Sequence, residues 1–110
     1  MNKKDESFKD FILDQLNEID SIEARRMFGG HGLYQDETFF GIVHKGKLFF
    51  KIDESTVGEY RKRKMKPFRP SAKQTLKSYY QVPVEIIEDA DALRQWAEQA
   101  VQCQAKKRKA

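Results

Sequence analysis

Two strand-prone segments on either side of Lys45-Gly46 set the strongest limit on this fold. Thr38 to His44 and Lys47 to Ile52 are rich in Phe, Ile and Val. A Lys-Gly pair between such segments predicts a tight antiparallel hairpin. Upstream, Arg26-Met27-Phe28 leads into Gly29-Gly30-His31-Gly32 and then Leu33-Tyr34. Those glycines break any helix, so the region predicts two further short strands around an irregular bend. A β-meander of three or four strands results.

Helical periodicity flanks this meander. Phe8, Phe11, Ile12, Leu16 and Ile19 recur at three- and four-residue steps, which predicts a helix over 7–19 capped by Ser7. Asp53 is read as the cap of a short helix over 54–63, ended by Pro67 and Pro70. Thr75 to Val82 reads as another strand, with Tyr79 and Tyr80 on opposite faces. Asp89 then caps a last helix in which Leu93, Trp96, Ala97, Ala100 and Val101 fit the i, i+3, i+4, i+7, i+8 pattern. The expected class is α+β, in two layers, with helices packed on one face of an antiparallel sheet.

With 110 residues there is one core to bury, and 12% aromatic content excludes a disordered chain. No segment has the length and apolarity of a membrane span, and no apolar run follows Met1 to Glu6 as in a secretory signal. Cys103 is the single cysteine, which fits a reducing, cytoplasmic setting. The net charge is +4, and Lys106, Lys107, Arg108 and Lys109 supply all of it. Without that run, 17 basic residues balance 17 acidic ones.

Ordered motifs carry a family resemblance. Arg25-Arg26-Met27-Phe28-Gly29-Gly30-His31-Gly32-Leu33-Tyr34 resembles the opening signature of the TfoX/Sxy N-terminal domain family. Phe39 to Val43, Leu48 to Asp53, Pro67-Phe68, Ser78 to Pro83, and Glu88-Asp89 with Leu93, Trp96 and Ala97 resemble its later segments, in register. The resemblance implies a two-layer fold similar to type III secretion chaperones and YgaC-like proteins. It also implies a bacterial regulator of natural competence that acts at promoters with the cyclic-AMP receptor protein. Those regulators carry a C-terminal helical domain for which 110 residues leave no room. The expectation is therefore a stand-alone domain over 1–104 and a disordered basic tail over 105–110.

Chemistry is sparse. The Gly29 to Gly32 bend reads either as an anion-binding nest or as a turn needing positive φ or close backbone approach; no helix or Lys-Ser/Thr pair follows it, which favours the turn. His31, His44 and Cys103 are isolated in sequence, so neither a metal nor another cofactor is expected. No nucleophile, base and acid occur at a recognisable spacing, and the chain is read as non-enzymatic.

The basic segment is more informative. Arg61, Lys62, Arg63, Lys64, Lys66, Arg69, Lys73 and Lys77 fall in a stretch with no acid from 61 to 77. Arg61, Lys62, Arg63, Lys64, Lys66 and Arg69, with Phe68 as a stacking group, form a candidate nucleic-acid or partner surface. The alternative is that they complement the acidic residues of 1–23. Alternation places Phe49 away from the helices, and Phe39 with it if the register allows. These two form a candidate face for a homodimer. The leading reading is a regulatory domain that binds a protein partner in transcription. Weak nucleic-acid binding through 61–77 is the alternative, and no membrane is expected.

Overall fold

The chain runs α1 (Lys3–Gln15), β1 (Ile22–Met27), β2 (Gly30–Gln35), β3 (Thr38–His44), β4 (Lys47–Lys51), α2 (Val57–Lys62), β5 (Pro67–Ser71), β6 (Gln74–Gln81), α3 (Val84–Ile87) and α4 (Ala90–Lys109). This is a computed structural model that describes residues 3–27 and 29–109. Lys45 and Gly46 adopt φ of 50° and 75°, the left-handed geometry of a two-residue hairpin turn. All six strands form one antiparallel sheet in the order β1-β2-β3-β4-β6-β5.

The helices cover one face of that sheet. Ile12 and Leu16 from the α1 region, Tyr60 from α2, Ile86 and Ile87 from α3, and Leu93, Ala97 and Ala100 from α4 pack on Leu33, Phe40, Val43, Leu48, Phe50 and Val82. Strand residues alone build the second cluster, on the far face: Ile42, Phe49, Phe68 and Tyr79, with Phe39 and Leu76 against them. The two-layer α+β arrangement expected from the sequence is present. Tyr79 joins the far cluster and Tyr80 packs on the helix side.

A bulge decides the register that alternation alone leaves open. Leu33 pairs with Gly41 and Tyr34 with Phe39, so Phe40 is an extra residue in β3. The extra residue reverses the alternation. Phe39 and Ile42 therefore share the far face, while Phe40 and Val43 face the helices.

Several boundaries differ from the sequence reading. The first helix stops at Gln15; Leu16 and Ile19 remain buried in the following turn, whereas Phe11 is 42% exposed. Asp53 does not cap α2. Its carboxylate accepts the Ser55 and Thr56 N–H groups, at 2.9 and 3.2 Å, and this local turn delays the helix to Val57. Pro67 and Pro70, read as ending that helix, lie beyond its last residue, Lys62, in β5, an edge strand, where a missing N–H is tolerated. Asp89 caps α4 as expected, accepting the Ala92 N–H at 3.2 Å. The last helix, α4, runs to Lys109.

Candidate functional site

The contiguous basic segment does not form one contiguous surface. Arg61 lies on α2 and lines a shallow depression with Ile52, Asp53, Glu54, Val57, Lys77 and Ser78. Arg63 pairs with Glu85 at 3.0 Å and sits 5.6 Å above the Trp96 ring, on the helix side. Lys62 is exposed on α2. Lys64, at φ 64°, ends that helix. Its N–H reaches the Arg61 carbonyl at 2.9 Å, and the Met65 N–H reaches that of Tyr60 at 2.9 Å, a Schellman arrangement.

Lys66 and Arg69 go elsewhere. Together with Lys45 and Lys47 they rim a groove of about 290 Å³ whose remaining lining is His44, Phe49, Pro67, Phe68 and Gln81. Three separated chain segments meet here because β4 and β5 both pair with β6. Arg69 is held by a bond from Nη2 to the Ala72 carbonyl at 3.0 Å. Among the described residues, none of Lys45, Lys47, Lys66 or Arg69 is in an ion pair. Arg25, by contrast, meets Glu23 and Glu37, and Arg94 meets Glu18 at 2.9 Å.

The groove belongs to a wider asymmetry. Residues 38–52 and 61–84 contain no Asp or Glu. Strands β3, β4, β5 and β6 and the turns joining β3 to β4 and β5 to β6 are therefore free of acid, while carrying Lys45, Lys47, Lys51, Arg69, Lys73 and Lys77. Lys45 and Lys47 were read from sequence only as hairpin residues. The absence of acid from 38–52 is the signal that could have found them.

Phe68 is not available to stack on a ligand. It is 1% exposed, with its ring 4.6 Å from that of Phe49 and 5.2 Å from that of His44, edge-on. Pairing irregularities flank it on β5, and such irregularities re-aim a side chain. Phe49 is accordingly 6% exposed, so the far face is not the open apolar surface expected from the sequence. Phe39 is partly buried, 5.2 Å from Tyr34 and 5.4 Å from Tyr79 between ring centroids. Burial, reinforced by Tyr34, pushes the Tyr79 phenol up to about 12. Lys51 lies 5.3 Å from the centre of the Tyr79 ring.

The glycine bend lies at the opposite end of the sheet order. Met27 pairs with Gly30, and Gly29 has φ 75°, so it supplies the backbone conformation the turn requires. A Cβ on Gly30 would collide with the Val43 carbonyl oxygen; this is close approach of two strands. His31 is 5% exposed, with Nε2 3.5 Å from Glu6 Oε1. Its Nδ1 has no partner among the described residues. Arg26 lies 3.9 Å from the same Glu6 oxygen. Arg25 stacks 4.2 Å from the centre of the Tyr34 ring. Phe28 lies outside the described residues. The family model for the TfoX N-terminal domain matches residues 14–104. The chain belongs to the TfoX N-terminal domain family. The match takes in the entire sheet and most of α4. No curated protein gives a significant match.

Within this TfoX N-terminal domain the soft ligands stay apart. His31 lies on the helix side near α1, His44 meets Phe68 on the far face, and Cys103 lies on α4 with Sγ 3.7 Å from Thr56 Oγ1. Among the described residues no three His, Cys, Asp or Glu side chains group as a metal site. No helix of the described residues is long and apolar enough to cross a membrane.

Proposed function

We propose that this TfoX N-terminal domain is a non-enzymatic regulatory domain, acting in transcription and competence control by binding. Its working surface is the acid-free part of the sheet, β3 to β6, which takes an anionic partner. One observation carries this reading: four adjacent strands and two of their turns hold cations and no acid. At the groove, four cations line one surface, and among the described residues none of them has a counter-ion. Clustered like charges raise the local potential and attract an opposite charge.

A homodimer or partner interface through the apolar face at Phe39 and Phe49, the leading reading of the sequence, has less support. The rings that would form it bury one another inside one chain. What a partner meets at the groove is the lysine and arginine rim.

The reading is tested by titrating the full chain with inorganic polyphosphate and following backbone amides by NMR. The expected result is saturable shifts at residues 44–47, 66, 68, 69 and 81, with β1 and α3 unmoved. Shifts centred on α2 or β1, or no binding at low salt, would refute it.

A further inference from the structure

Resting on that reading, we propose that the groove rimmed by Lys45, Lys47, Lys66 and Arg69 is a site for the phosphate backbone of nucleic acid. The rim offers ammonium groups and one guanidinium. Such donors suit phosphate oxygens, and neutralising phosphates dominates affinity for nucleic acid. Gln81 and His44 add further polar groups to the lining, and among the described residues that line it there is no carboxylate to repel the ligand.

The floor tells which part of the nucleic acid is held. Base stacking requires an open aromatic face. Phe49 and Phe68 cover each other at 4.6 Å and leave no such platform. The contacts are therefore to backbone, and binding is independent of sequence.

An acidic protein segment is the competing occupant, and the edge strand disfavours it. An extended peptide gains affinity by adding main-chain hydrogen bonds to a sheet edge. β5 is that edge, and two of its residues, Pro67 and Pro70, have no N–H to offer. A phosphate backbone needs no such ladder.

The decisive experiment measures binding of the full chain to a labelled DNA duplex and to labelled polyglutamate by fluorescence anisotropy at low salt. Two groove variants, Lys45→Asn/Lys47→Gln and Lys66→Gln/Arg69→Gln, are compared with Arg61→Gln/Lys62→Gln. Asn is used at 45 because it tolerates the φ of 50° found there. Thermal melts establish that each variant folds. Each groove pair is expected to weaken duplex binding about tenfold or more, and the control pair about twofold or less. Scrambling the duplex sequence should change nothing. Unchanged duplex binding in both groove variants would overturn the proposal. So would polyglutamate binding as tightly as DNA and losing affinity in the same variants, although the reading of an anionic partner would then stand. Binding of neither ligand would remove both.

Discussion

Replacing Phe68 by Ala tests whether the far face is a core in its own right. The ring is 1% exposed and packs on Phe49 and His44. Removing it forfeits the transfer free energy of the ring and opens a cavity, which together cost about 3–5 kcal/mol for a buried Phe. Phe68 lies on an edge strand beside an open groove, so water and neighbouring side chains can enter the space. The lower end applies, about 3 kcal/mol. For a domain of this size that lowers Tm by roughly 12–20 °C. Urea and thermal unfolding of the full chain supply the values. Phe11→Ala is the control, because that ring is 42% exposed on α1. It should cost less than about 1 kcal/mol. If Phe68→Ala unfolds within about 1 kcal/mol of the parent, the second cluster does not stabilise the sheet. The inference that its rings are withdrawn from ligands would then lose its basis.

Three other outcomes follow from local geometry. Gly30→Ala places a Cβ against the Val43 carbonyl oxygen and should cost about 2 kcal/mol or more, whereas Gly29→Ala meets open space at φ 75° and should cost about 1 kcal/mol; the order of urea midpoints checks this. Lys64→Gly relieves a residue at φ 64° and should raise stability by about 0.5–1 kcal/mol, read from the same melts. The Tyr79 phenol has its folded pKa raised to about 12 from the ordinary 10.0, so its contribution is complete below pH 10.0 and is lost as pH rises towards about 12. Unfolding free energy should fall over that window, and Tyr79→Phe should flatten part of the fall.

Local chemistry made much of the fold legible. Lys45-Gly46 identified its hairpin because few residue pairs suit two positive φ angles. Leu93, Trp96, Ala97 and Ala100 identified α4 because apolar residues at helical spacing need a surface to cover. β5 was hidden because proline breaks a helix and a central strand alike, and only sheet order shows that β5 is at an edge. The partnering of Phe39 with Phe49 depended on one extra residue at Phe40, which no alternation pattern encodes.

The candidate site was half visible. Lys66 and Arg69 belonged to a conspicuous basic run, but their neighbours in that run are directed to α2, Glu85 and Trp96. Lys45 and Lys47, about twenty residues upstream, complete the groove because β4 and β5 flank the same strand. Proximity of that kind is a property of topology, whereas the lack of acid in 38–52 and 61–84 can be read directly.

The central claim is tested most directly by the salt dependence of duplex binding. The logarithm of affinity is measured against the logarithm of salt concentration for the full chain and for Lys45→Asn/Lys47→Gln. Each phosphate neutralised contributes about 0.9 to the slope, so losing both lysines should reduce its magnitude by roughly 1.8. Equal slopes would contradict the account, because the groove cations would then not be the ones that meet the phosphates.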